Sequence, residues 1–280
     1  MIKFFANLFG YFLNYLYNLF GNFGLAIIVF SVIIKIVLLP ISIKQQKTMK
    51  KTAKVQDKLK EIQYKYSNNP EKLNQETIEL YKKENLSPFS GCLGAIAQIV
   101  LLFAVFYLVR SPLTYMKKVD SNIIEQYETE LSEDDTTNKS YPEISIIKEK
   151  GSTDENVYIN MNFLGLDLSG VPLQDASNIT VFIIPALYVL TTIISMKLNL
   201  SMNNKNKNEK LITDGENKEK IKEEENPMLQ ANKSMSYMMP IMSVSIALIA
   251  PLGLALYWLV NNVLMILERL VLSKMIKEEE

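Results

Sequence analysis

Few residues in this chain can do chemistry. It has no histidine and a single cysteine, Cys92, in 280 residues. That excludes Ser-His-Asp and Cys-His catalysis, histidine-ligated metals and an intrachain disulfide. No GxGxxG, P-loop or HExxH pattern occurs. The chain is therefore not expected to be an enzyme, and no cofactor or metal is implied. Cys92 opens an apolar run and reads as a small buried residue. One group stands out. Lys35 lies at the middle of LAIIVFSVIIKIVLLPISI, residues 25–43. A run of about 20 apolar residues crosses a bilayer as a helix. A lysine at its centre costs roughly 2.5–3.5 kcal/mol. The Ile, Val, Leu and Phe around it return roughly 0.3 to 0.6 kcal/mol each, so the segment still inserts. An ionisable group kept at such cost marks a functional site.

Other apolar runs carry polar residues at comparable depth. Counted at about 1.5 Å per residue, Lys35 lies about 12–13 Å from the Lys-rich end of its span and Gln98 about 10–12 Å from the same face. Thr191 and Thr192 lie about 6–8 Å in, and Asn261 and Asn262 about 11–13 Å in. Ser31, Lys35 and Ser42 share one helical face; Tyr257, Asn261 and Glu268 share another. Taken singly, Gln98, Thr191 or Asn262 reads as interhelical hydrogen-bond glue. Lys35 differs, because no acidic residue is expected at its depth, Glu268 being placed at the membrane boundary. An unpaired ammonium there needs water or a transient partner. The expectation is a hydrated recess open to the cytoplasm and closed to the outside, lined by Lys35, Ser31, Gln98, Thr192, Tyr257, Asn261 and Asn262. No polar residues continue through the outer half of the first two spans, which disfavours a conducting pore. Duplicated halves of the kind many transporters show are also absent.

The elements that must position these residues read as an all-α polytopic membrane protein. Residues 1–24 form an amphipathic helix and turn lying in the interface, with Lys3, Asn7, Asn14 and Asn18 on one stripe. A signal peptide or an extra span are the rival readings. Residues 25–43 are the first span, with Pro40 expected to kink it. Seven lysines between Lys44 and Lys60 put that end in the cytoplasm. Residues 44–90 read as a helical hairpin. Val55, Leu59, Ile62 and Tyr66 form its apolar stripe, Asn69 is the N-cap, and Pro70 is the first residue of the second arm. The hairpin is either a solvated loop whose lysines set topology or a docking surface or lid beside the membrane. The second span is 91–110. An acidic outer loop, 111–178, follows, with much of 120–156 expected to be poorly ordered and 157–173 turning apolar. The third span is 179–196, a flexible cytoplasmic loop 197–235, the fourth and fifth spans 236–250 and 252–270, and a cytoplasmic tail 271–280. The N-terminus is then outside and the C-terminus cytoplasmic. No lipoprotein signal peptide is visible, so the first span is expected to orient by its flanking charges.

Four blocks in order, GNFGLAIIVFSVIIKIVLLPISIKQQK, LSPFSGCLGAIAQIVLLFAVFYLV, NFLGLDLS and MMPIM…APLGLALYWLVNN, make the chain resemble the YidC/Oxa1/Alb3 family of membrane protein insertases, most closely the Gram-positive bacterial type. The resemblance implies a five-transmembrane-helix core, a cytoplasmic helical hairpin and a groove open to the cytoplasm and to lipid. A basic residue in that groove draws in the hydrophilic flank of a substrate, which leaves along the third and fifth spans. Lys35 falls at the family's basic position, usually arginine, and Gln98 at the glutamine after GCL. The hairpin would serve substrate recruitment. Lysine keeps the charge but lacks arginine's planar fork. The family's GCLP pattern is here Gly91-Cys92-Leu93-Gly94. Its long basic tail is replaced by one ending in Glu278-Glu279-Glu280.

The leading expectation is an insertase and chaperone of the cell membrane. Its partners would be nascent membrane proteins and the lipid bilayer, with the Sec translocon and the ribosome as further contacts and no specific nucleic-acid sequence. The alternative is a small-anion transporter or channel with Lys35 as ligand. A third reading is a specialised assembly factor of the same family.

Overall fold

The computed structural model describes residues 2–84, 90–132, 140–208 and 244–278, and nearly all of its regular structure is helical. Three helical stretches are long and apolar enough to cross a bilayer: Phe23–Thr48, Ile179–Leu198 and Leu252–Leu272. They make the chain an all-α polytopic membrane protein. Of the expected fourth span, 236–250, only residues 244–250 are described; of the expected flexible loop, 197–235, residues 197–208 instead continue the preceding helix, with no glycine or proline to stop it, and 209–235 lie outside the described residues.

Helix α1 (Ile2–Phe20) ends at the Gly21-Asn22 turn, and α2 (Phe23–Lys65) starts there. Asn22 caps α2, its side-chain oxygen accepting from the Leu25 N–H at 3.1 Å. The first span and the first arm of the hairpin are one helix of 43 residues, not two. The physical reason lies in the junction, Ile41 to Lys51, which has no glycine or asparagine to end a helix, and whose Thr48 hydroxyl donates back to the Lys44 carbonyl at 3.0 Å rather than capping a new one. Pro40 alone does not stop the helix; it removes one hydrogen bond, to the Ile36 carbonyl. Helix α3 (Pro70–Lys83) returns along α2. Asn69 is its N-cap, accepting from the Lys72 N–H at 3.1 Å, and Pro70 is its first residue, as the sequence predicts. Val55 and Leu80 are buried between the two arms, with Leu59, Ile62 and Tyr81 around them. Lys58 and Glu84 pair at 2.8 Å and the Tyr66 hydroxyl donates to Glu76 at 3.2 Å.

Helix α1 folds back on α2, stacking Phe9 and Phe12 against Phe30 at ring separations of 5.6 and 5.8 Å. Its inner face, Ala6, Gly10, Leu13 and Leu16, is buried, while Phe4, Leu8, Tyr11, Tyr15 and Leu19 form an exposed apolar stripe. The inner face packs on α4 (Ser90–Arg110) and on a π-helical turn, Leu113–Lys117.

Disorder was expected through much of 120–156, and the structure corrects this for residues 120–132 and 140–156. Helix α5 (Ser121–Ser132) and α6 (Pro142–Lys150) pack together. The acidic composition masks apolar residues at helical spacing: Ile124 is buried, and Ile123, Tyr127 and Leu131 pack against the core. Tyr127 donates to Asp154 at 3.0 Å, and Lys150 pairs with Glu130. Within α6, Glu143 is buried and accepts from the Thr114 N–H at 3.0 Å and the Thr114 hydroxyl at 2.7 Å. Burial pushes its carboxyl above the ordinary value of 4.5, against the opposing hydrogen bonds from Thr114, Leu113 and Ser111. A raised folded value means that the folded state holds the proton more tightly. This contribution to stability is therefore complete below about pH 4.5 and is lost as pH rises through the raised value. Glu143→Gln should flatten that slope, which cannot exceed about 1.4 kcal/mol per pH unit. Thermal unfolding of the full chain between about pH 4 and 8 checks it; an unchanged slope would show that another group sets it.

A two-residue hairpin follows, β1 (Asn162–Phe163) and β2 (Leu166–Asp167). Its tip, Leu164 and Gly165, takes φ of 52° and 80°. Two left-handed residues are what a tight hairpin tip needs, and glycine meets the need without strain. This segment seals one end of the bundle. The Phe23 N–H donates to the Asn160 carbonyl at 3.1 Å, and the Leu252 and Gly253 N–H groups donate to the carbonyls of Gly170 and Leu168, each at 2.9 Å. These are the N–H groups that a helix start leaves without a partner. After a 3-10 turn (Ile179–Phe182) come α7 (Ile183–Asn208) and, past helical residues 244–249 and Pro251, α8 (Leu252–Glu278). The tightly packed core lies at the sealed end: Phe23, Ile27, Phe30, Val105, Leu108, Leu252 and Leu254 are fully buried. Further along α2, Ile36, Val37 and Ile41 are exposed.

Candidate functional site

The site lies where that packing stops. On α2 the last buried residue of the inner face is Ser31, whose hydroxyl donates to the Ile27 carbonyl at 2.7 Å. One turn on is Lys35. On α8 the buried run ends at Tyr257, and Asn261 is the next residue on that face. Between them is a recess of about 30 Å³, room for one or two waters. Ser31, Lys35, Ser42, Tyr257 and Asn261 form its polar lining; Ile34, Leu38 and Leu101 form the apolar wall.

The expectation of an unpaired ammonium is corrected. Lys35 Nζ lies 2.6 Å from Glu268 Oε2, with side-chain exposures of 21% and 9%. The depth count placed Glu268 at the membrane boundary because the span was taken to end near Leu270. Counted from the helix starts at the sealed end, Phe23 and Leu252, the two residues are offset by four positions, about 6 Å along the axes, which the two long side chains span. Glu268 was legible in one respect: it stands on the Tyr257–Asn261 face. At an effective dielectric near 20 such a pair gains about 6 kcal/mol of Coulomb energy, most of it offset by desolvation. Glu268 Oε1 is buried with no hydrogen-bond partner among the described residues.

Of the residues named from sequence, the structure brings Lys35, Ser31, Tyr257 and Asn261 together. It does not bring Thr192 and Asn262 into the recess lining. Asn262 Nδ2 donates to Thr192 Oγ1 at 2.8 Å, and Thr192 Oγ1 donates to the Tyr188 carbonyl at 2.8 Å. Together with the Tyr188–Trp258 ring contact at 6.0 Å, this clamps α7 to α8. The reason is rotational: neighbouring residues on α8, Asn261 and Asn262, point about 100° apart. The Gln98 side chain lies outside the described residues. Among the described residues, no three His, Cys, Asp or Glu side chains gather as metal ligands would.

Fold and site thus define a class, a helical membrane protein with a polar recess between its spans, lined by a lysine that pairs with Glu268. The chain matches the family described as 60Kd inner membrane protein over residues 15–279, and it belongs to that family. It is similar to proteins named membrane protein insertase YidC. That of Fusobacterium nucleatum is 45% identical over 91 residues, 32% of this chain and 44% of the relative. That of Caldanaerobacter subterraneus is 40% identical over 102 residues, 36% of this chain and 50% of the relative. That of Treponema denticola is 27% identical over 262 residues, 94% of this chain and 36% of the relative. The matched stretch spans half or less of each relative's length.

Proposed function

We propose that the chain is a membrane protein insertase and chaperone, acting without covalent chemistry. It draws the hydrophilic flanks of nascent membrane proteins into a charged groove while their apolar helices enter lipid. The observation that carries this reading is the Lys35–Glu268 pair, held at the point where the tight core gives way to a polar recess. Family membership and the names of the relatives support it. In this reading five spans form the core, with 91–110 and 236–250 completing the three long apolar helices. The recess opens to the cytoplasm, where the lysines of α2 lie, and the α1 stripe rests in the opposite interface. The N-terminus is outside and the C-terminus cytoplasmic. The lipid bilayer is a direct partner, with the Sec translocon and the ribosome as further contacts.

Crosslinking tests it. Photoreactive residues placed at Ser31, Tyr257 and Asn261 should capture stalled nascent membrane proteins, and an exposed position at the sealed end such as Leu164 should not. Equal capture at all four positions would sink the reading. Lys35→Ala and Lys35→Glu should lower insertion of acidic-flanked substrates most, on the order of five- to tenfold; an equal loss for every substrate would remove Lys35 from recognition. The alternative, a small-anion transporter or channel with Lys35 as ligand, is not favoured. Family membership and the relatives' names support the insertase reading and not this one. Liposomes holding only this protein should show no anion uptake.

A further inference from the structure

Resting on the insertase reading, we infer that Glu268 is a second charge-reading residue of the groove, so that the site accepts substrate flanks of either sign rather than acidic flanks alone. Three observations carry this. First, the groove's cation is not free: Glu268 Oε2 sits 2.6 Å from Lys35 Nζ. The pair has no net charge, and its long-range attraction for an approaching carboxylate is that of a dipole, much weaker than that of a lone ammonium. An acidic flank enters by exchange, replacing one carboxylate on Lys35 with another. Second, Glu268 keeps an acceptor in reserve. Its Oε1 is buried and unpartnered among the described residues, although buried acceptors are as a rule satisfied. Because Oε1 is buried, a lysine or arginine of a basic flank reaches it as the resident pair opens, and then supplies the missing hydrogen bond. Third, the two carriers stand on different helices. Lys35 is on α2 and Glu268 on α8, so a flank lying between the helices meets both charges at once.

The substrate class this predicts is short flanks of mixed or either charge. The test uses the full chain in proteoliposomes and three single-span reporters, whose short flanks carry two Asp, two Lys or two Ser. The readout is protease protection of the flank, normalised in each variant to the Ser reporter. Glu268→Gln should raise the Asp-to-Lys insertion ratio by about fivefold or more. Lys35→Gln should lower it by a similar factor. The exchanged pair Lys35→Glu/Glu268→Lys should return the ratio to within about twofold of wild type. An unchanged ratio in Glu268→Gln, with wild type inserting the Ser reporter, overturns the inference and leaves the insertase reading standing. Failure of wild type on all three reporters removes both. If Glu268→Gln does not fold, the exchanged pair decides alone: a ratio shifted towards one sign by about fivefold overturns the inference.

Discussion

Removing either member of the Lys35–Glu268 pair should destabilise the protein by about 3 kcal/mol, and removing both should cost far less than the sum. Lys35→Ala leaves a carboxylate at 9% exposure with neither oxygen paired, since Oε1 already lacks a partner. Such a charge costs several kcal/mol unless it takes up a proton or draws in water. Glu268→Ala leaves the ammonium, which at 21% exposure has more access to water. Its cost should be the smaller of the two. Lys35→Met/Glu268→Met restores apolar contacts along α2 and α8 and should equal or exceed wild-type stability. Unfolding by denaturant in lipid nanodiscs measures all four states. Single variants within about 0.5 kcal/mol of wild type would mean that water already solvates both charges. A stable double-methionine variant would instead show that the pair is not there to hold the fold. A cost retained in a membrane span without a gain in stability is what a working site looks like.

What the sequence made legible follows from how local each signal was. Lys35 stands out because every neighbour is apolar, and Asn69-Pro70 because a cap and a first-turn proline act within four residues. The stripe of Val55, Leu59 and Ile62 predicts a partner arm, and Leu80 supplies it. The ion pair was not legible, because it depends on how α2 and α8 are aligned along their axes and which faces they turn to each other, and periodicity leaves both open. Nor was the Thr192–Asn262 clamp. Polar residues at equal depth can line a recess or tie helices, and the choice rests on helix rotation, which periodicity leaves open. Helices α5 and α6 were hidden by composition: an acidic surface looks unstructured until the few isoleucines beneath it are placed on one face.

Gly10→Ala should be the most damaging single-methyl change in the described part of the chain outside the recess. A Cβ built at Gly10 would lie 1.8 Å from the Tyr115 carbonyl oxygen and 2.6 Å from its carbon. Both are backbone atoms of the π-helical turn, so no side-chain rotation relieves the clash. The turn itself cannot yield cheaply. Its Thr114 N–H and hydroxyl are held by the buried Glu143, and the Tyr115 ring packs on Tyr107 at 6.2 Å. Helix α1 must move instead, pulling Phe9 and Phe12 away from Phe30. Overpacking of this kind costs about 1–3 kcal/mol, and more when backbone must shift; about 3 kcal/mol is expected here. Asn18→Ala, on the exposed side of the same helix, should stay within about 0.5 kcal/mol. Denaturant midpoints of the two variants in nanodiscs test the difference, and a Gly10→Ala midpoint equal to that of Asn18→Ala would mean that α1 does not press on the turn. The consequence reaches the recess. Lys35 can sit in a loosely packed part of α2 only because the other end of that helix is fixed, and α1, wedged between α2 and the turn through Gly10, is one of the elements that fix it.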